Sequence, residues 1–129
     1  FKEIAVGDHS FQGKEKPIRL KDLIENPLIS LGQGSTTYEF YSKFFLENDL
    51  VLSPDTEVET IDQVLPLIMN GLGIGFLPEL FVRPVIEEGK VCQIPLKENI
   101  PEREICLVEN HTFPPSITAE MFKKMLVLK

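Results

Sequence analysis

The sequence predicts an α/β fold in which a mostly parallel sheet is flanked by helices. Three observations predict it. Short apolar runs rich in β-branched residues alternate along the chain with segments of helical periodicity. The two clearest helical segments each follow a capping-box pair, Thr36 with Glu39 and Thr60 with Gln63. The glycines of Gly71-Leu72-Gly73-Ile74-Gly75 leave a helix and enter a strand, the order expected of a helix stop followed by close packing.

The elements follow in chain order. Ile4-Ala5-Val6 reads as a short strand closed by Gly7-Asp8-His9-Ser10, and Gln12 to Lys16 as a polar loop. Lys21-Asp22-Leu23-Ile24 makes one helical turn, ended by Asn26-Pro27 because proline biases its predecessor away from the helical region. Leu28 to Leu31 is a buried strand. Phe40, Tyr41, Phe44 and Phe45 share one face of a helix expected from about Thr37 to Asn48, and Asn48-Asp49 can take the left-handed conformation that ends it. Pro54 to Val58 is a strand. Ile61, Val64, Leu65, Ile68 and Met69 give a second helix that stops at Asn70-Gly71; with Pro66 inside, it is either kinked or begins late. Gly73 to Pro78 is a buried strand, Glu79 to Phe81 a helical turn, Glu87 to Lys90 a turn, and Val91 to Leu96 and Glu104 to Glu109 are strands. Ser116 caps a last helix carrying Ile117, Met121, Phe122, Met125 and Leu126.

Composition narrows the function. The 129 residues, 43% hydrophobic and 26% charged, are enough for one core. No segment approaches the roughly 20 continuous apolar residues of a membrane helix, so no membrane contact is expected. Twenty acidic against 13 basic residues leave a net charge of −7, so there is no basic stripe to neutralise phosphates and the chain is not expected to bind DNA by itself. Cys92 and Cys106 lie in strand-like runs; buried thiols are favoured over a disulfide. The charged opening Phe1-Lys2-Glu3 carries no signal-peptide pattern, which points to a reducing cytoplasm, and reads as the middle of a gene product.

No catalytic constellation is present in the sequence. His9 and His111 stand apart from any cysteine, serine or acid at a catalytic spacing. The Gly71 to Gly75 run lacks a glycine three residues after its second, and the strand-to-helix order, of a dinucleotide fingerprint, and Gly32 to Thr37 lacks the lysine of a P-loop. Glu57 and Glu59 share a strand face, which solvent accounts for better than paired acid chemistry. No cofactor and no metal site are expected. Gly34 to Thr37 can be simply a helix cap, or it can present hydroxyls and free N–H groups to an anion at a helix start. The Thr60 region repeats the arrangement. In a parallel sheet both starts follow strand C-termini, the edge where ligands bind.

The order Pro27 to Ser35, then Glu57 to Ile61, then Gly71-Leu72-Gly73-Ile74-Gly75-Phe76-Leu77-Pro78 resembles the effector-binding domain of LysR-type transcription regulators, with Asp8-His9 and Lys21-Asp22-Leu23 matching its lead-in. The resemblance implies a periplasmic-binding-protein-like (type II) subdomain, a small molecule held between two subdomains, and DNA bound only through a winged helix-turn-helix absent from this chain. It divides the chain into a first crossover strand and loop (1–16), the second effector-binding subdomain (17–103), and a return crossover with a C-terminal helix of the first subdomain (104–129). It places Gly34, Ser35, Thr36, Glu59, Thr60, Ile74, Gly75 and Phe76 at the effector cleft; Glu59 argues against an anionic effector unless a cation from the first subdomain offsets it. It also implies a homodimer or homotetramer, with Tyr38, Tyr41, Phe45, Val51 and Leu52 at the dimer contact. The alternatives are a transport-type solute-binding protein and an enzyme on a similar fold, told apart by whether a winged helix-turn-helix, a signal peptide or neither precedes the chain.

Overall fold

Alternating side chains on the first strand set the layers of the molecule. The computed structural model describes residues 1–104; the strand expected at Glu104 to Glu109, the helix expected after Ser116, Cys106 and His111 lie outside the described residues. Strand β1 (Glu3–Asp8) sends Ile4 and Val6 to one face and Ala5 to the other. On one side Ile4 and Val6 join Ile29, Val64, Ile68, Leu77, Val82 and Val91; on the other Ala5 joins Tyr41, Phe44, Phe45, Phe76 and Ile94. A sheet buried on both faces explains the near-continuous apolar strands of the sequence.

The remaining elements are a short 3-10 turn at His9–Phe11, helix α1 (Leu20–Leu23), β2 (Ile29–Leu31), α2 (Thr36–Glu47), β3 (Thr56–Val58), α3 (Ile61–Met69), β4 (Gly75–Pro78), α4 (Glu79–Glu87) and β5 (Val91–Ile94). Strands β2 and β3 are parallel, ending on the Leu31–Val58 pair. A parallel bridge between Leu28 and Ile74 connects β2 to the start of β4, and another joins Ile18 to Leu96. Strand β1 runs antiparallel between β4 and β5. The sheet is therefore mixed: parallel where a helix crosses between strands, antiparallel where β1 enters from the far edge.

Three helices end in the same way. At the C-termini of α2, α3 and α4, left-handed Asp49, Gly71 and Gly89 allow a Schellman turn, with Leu50 N–H donating to Phe45 carbonyl at 2.8 Å, Leu72 to Leu67 at 3.0 Å and Lys90 to Val85 at 3.2 Å. Helix α3 starts at Ile61 despite Pro66, so it does not begin late. The single helical turn expected at Glu79 to Phe81 is instead the nine-residue α4, which tolerates Pro84 at the same sixth position that Pro66 holds in α3. One lost N–H bond in each is offset by the apolar faces Val64–Ile68 and Val82–Ile86 packed on the sheet. Cys92 is a free, half-buried thiol whose pKa is pushed up by burial and then by the charge of Asp8. It is a poor nucleophile at neutral pH.

Candidate functional site

Because β2 and β3 are parallel and end level at Leu31 and Val58, the helices that follow them both start at one edge of the sheet, α2 on the face of Ala5 and α3 on the face of Ile4 and Val6. Strand β4 also runs this way and reaches the same edge at Pro78, where its partner Glu3 opens β1. This edge gathers Gly34, Ser35, Thr36, Glu59 and Thr60 as the sequence predicts.

The start of α2 differs in one detail. Its cap is Ser35, not Thr36: the Ser35 hydroxyl accepts from Tyr38 N–H at 3.0 Å and donates to the Gly32 carbonyl at 3.0 Å. In a Ser-Thr-Thr run each hydroxyl can cap, and the left-handed Gly34 brings Ser35 into the capping position. Ser35 is thereby occupied, leaving the exposed Thr36 hydroxyl and the N–H groups of Thr36 and Thr37 at the helix end. At α3 the Gln63 arm of the capping box closes the start, since its Oε1 accepts from Glu59 N–H at 2.9 Å and Thr60 N–H at 3.2 Å. With Glu59 before the helix and Asp62 in its first turn, this end is acidic. Glu57 and Glu59 are both exposed, as a solvated face requires.

Ile74, Gly75 and Phe76 sit elsewhere. They lie at and just before the beginning of β4, with Ile74 opposite Leu28 rather than Leu31, and Ile74 and Phe76 are 1% and 8% exposed inside the core. Phe76 stacks on Tyr41 at 4.6 Å. The residue of β4 that reaches the edge is its last, Pro78, followed by Glu79 at the start of α4. A similar correction applies to the expected dimer contact. Tyr41, Phe45 and Leu52 are buried core side chains with no surface to offer a second copy, and Tyr38 is half-buried, whereas Val51 and Leu46 are 74% and 60% exposed.

The edge also holds a polar cluster that the sequence does not reveal. Arg103 donates from one guanidinium nitrogen to Glu3 Oε1 at 3.0 Å and to Thr37 Oγ1 at 3.1 Å. Its plane lies over Phe40 at 4.9 Å and Phe1 at 5.5 Å, and its backbone N–H donates to the Phe1 carbonyl at 2.9 Å. One residue thus ties the opening of β1 to the first turn of α2. Glu3 is buried, and so is the Tyr41 hydroxyl nearby; burial, followed by the Glu3 charge, holds that phenol well above its ordinary pKa. The only sequence signal for this cluster is a glutamate with the inward parity of Ala5.

The raised Tyr41 pKa has a measurable sign. The folded chain favours the neutral phenol, so its contribution is complete below the ordinary phenol pKa and is lost as pH rises toward the folded value. Urea unfolding from about pH 9 to about pH 11 should show the wild type losing up to about 1.4 kcal/mol per pH unit more steeply than Tyr41→Phe, which cannot ionise there. At pH 7 the two should agree within about 1 kcal/mol, since Tyr41 Oη has no hydrogen-bond partner to lose among the described residues.

Comparisons with known proteins fit this geometry. The model of the LysR substrate binding domain matches residues 4–127. Among curated relatives, the uncharacterised HTH-type transcriptional regulator YwqM of Bacillus subtilis strain 168 is 29% identical over 100 residues, 78% of this chain and 33% of its own length. The HTH-type transcriptional activator CmpR of Synechocystis is 36% identical over 64 residues, 50% of this chain and 21% of its own. The chain thus spans a minor part of these regulators. Among solved structures, the effector-binding domain of QuiR in complex with shikimate superposes with a TM-score of 0.70 at 18% identity, over 95% of this chain and 58% of that one. HinK, a LysR family regulator from Pseudomonas aeruginosa, gives 0.60 at 24% identity, over 77% of this chain and 35% of its own. With the family model matched over nearly the whole chain and the same fold in its solved members, the chain belongs to the LysR substrate binding domain family.

Proposed function

We propose that this chain senses a small-molecule effector at the sheet edge where α2 and α3 begin, within a transcription regulator whose DNA-binding helix-turn-helix lies outside this sequence. The observation that carries the reading is the level ending of β2 and β3, which sets Gly34 to Thr36 beside Glu59 and Thr60 on one edge. Thr36 and the open N–H groups of α2 make the hydrogen-bonding contacts; the acidic, Gln63-closed start of α3 screens against anions. In this division 17–103 is the second effector subdomain, 1–16 enters it as a crossover, and 104–129 returns to the first subdomain, whose face completes the cleft. The protein works in the cytoplasm as a homodimer or homotetramer, with Val51 and the adjacent Leu46 rather than the buried aromatics at the contact. It turns over no substrate.

The test is a thermal-shift screen of metabolite-sized compounds on the full-length regulator, followed by calorimetry of the hits on variants. Thr36→Val should weaken binding by about tenfold through the lost hydroxyl hydrogen bond, and Gly34→Ala by a similar factor, because its left-handed backbone must shift to accept a Cβ and displaces the loop. Ser35→Asn retains a cap, so a change there reports on the ligand and not on helix stability. Affinities within twofold of wild type for all three variants refute the site.

A further inference from the structure

We propose that Arg103 is a positioning residue of the effector edge: it locks the first turn of α2 to the segments by which the chain enters and leaves this subdomain. A displacement of that turn by a bound molecule is thereby carried into the crossovers. This deepens the effector-sensing reading, on which it rests for its biological role, by naming the residue through which the site is read out.

The contacts of Arg103 form a three-way joint. A single guanidinium nitrogen is shared between Glu3 Oε1 on β1, at 3.0 Å, and Oγ1 of Thr37, the second residue of α2, at 3.1 Å. The backbone N–H of the same residue donates to the Phe1 carbonyl at 2.9 Å, so main chain and side chain both hold the entering segment. Phe40, three residues after Thr37 and therefore on the same helix face, sets its ring 4.9 Å from the guanidinium. Among the described residues, the Arg103–Thr37 bond is the one side-chain hydrogen bond that leaves the first turn of α2 for another element, since the Ser35 hydroxyl bonds only Gly32 and Tyr38.

Such a joint transmits what packing alone does not. The body of α2 meets β1 through Tyr41, Phe44 and Phe45 in one cluster with Ala5, and apolar packing is non-directional. A hydrogen bond, by contrast, weakens steeply once its distance and angle are disturbed. With the Arg103 side chain 18% and that of Glu3 1% exposed, water is poorly placed to replace a broken bond. A first turn that moves away from β1 therefore carries the guanidinium, and with it Glu3, or gives up the Thr37 bond. Thr36 and the open N–H groups lie on the same turn as Thr37, so a ligand held there acts on the joint directly.

Amide chemical-shift mapping of the chain, with no ligand added, tests the joint. Thr37→Val removes the acceptor while keeping the shape of the side chain, and it is expected to shift the amides of Lys2 to Ile4 as well as those of α2. Thr37→Ser keeps the hydroxyl and should shift Lys2 to Ile4 by less than about half as much. In Arg103→Lys, whose ammonium still reaches Glu3 but releases Thr37, the effect of Thr37→Val at Lys2 to Ile4 should fall at least about twofold while its effect within α2 persists. If Arg103→Lys does not fold, Glu3→Leu with Arg103→Met takes its place, with the same fall expected at Lys2 and Ile4. A residue that served stability alone would leave the response of β1 to Thr37→Val independent of the side chain at 103. Lys2 to Ile4 unmoved by Thr37→Val, moved more than half as far by Thr37→Ser, or responding within twofold of wild type without the guanidinium overturns the proposal. Because no ligand and no variant at Thr36 or Gly34 enters this test, its failure leaves the helix-start site standing, and failure of that site leaves the joint.

Discussion

Gly73→Ala should unfold the chain or cost it about 3 kcal/mol or more, the range reached when an added side chain meets atoms that cannot move. A Cβ at this position would stand 2.6 Å from the Pro27 carbonyl oxygen and 3.1 Å from its carbon. That carbonyl accepts from Ile74 N–H at 2.8 Å, and the Ile74 carbonyl accepts from Ile29 N–H at 2.8 Å. These two bonds join the β2–β3 ladder to the strands around β1. Moving Pro27 to admit a methyl group therefore breaks the seam of the sheet. Gly32→Ala is the control, because its Cβ would meet only the flexible Glu57 carboxylate at 3.4 Å; it should stay within about 1 kcal/mol of wild type. Chemical denaturation of both variants checks the pair, and a Gly73→Ala protein as stable as Gly32→Ala would show that the seam can open without cost.

Much of this arrangement was legible because local chemistry and tertiary packing agree. The aromatic stripe of α2, the Asp49 and Gly71 stops, and the helix-to-strand order of the glycines each require nothing beyond neighbours in sequence. Gly75 illustrates the packing half of that reading, since a Cβ there would lie 3.0 Å from Val64 and 3.1 Å from Ile68 on α3. What failed depended on relations that a linear reading does not contain. Glu79 to Phe81 reads as a single helical turn, yet α4 runs on through Pro84 because its apolar face is held by the sheet. Resemblance alone places Ile74 to Phe76 at the cleft, whereas the bridge to Leu28 sets them at the opposite end of β4 from the edge where α2 and α3 begin. Resemblance likewise places Tyr41 and Phe45 at the dimer contact, whereas both pack on Phe76 inside the core.

The Glu3–Arg103 pair is the extreme case, two ordinary charged residues one hundred positions apart whose meeting only the fold reveals. Removing one partner strands the other, and for a pair this buried that costs about 3–5 kcal/mol. With Arg103 18% and Glu3 1% exposed at the side chain, Arg103→Met should fall near the lower end, leaving a carboxylate with little access to water. Arg103→Lys should lose less, about 1–2 kcal/mol, since an ammonium can still reach Glu3 but cannot also serve Thr37 and keep the contact over the Phe40 ring. The decisive variant is the double one. Replacing a buried ion pair by apolar residues of similar volume is often neutral, so Glu3→Leu with Arg103→Met should recover to within about 2 kcal/mol of wild type. Urea denaturation of wild type, Glu3→Leu, Arg103→Met and the double variant closes the cycle. Additive losses, with the double variant the least stable, would mean that the two residues act separately and that the crossover is not clasped to α2 through their charge.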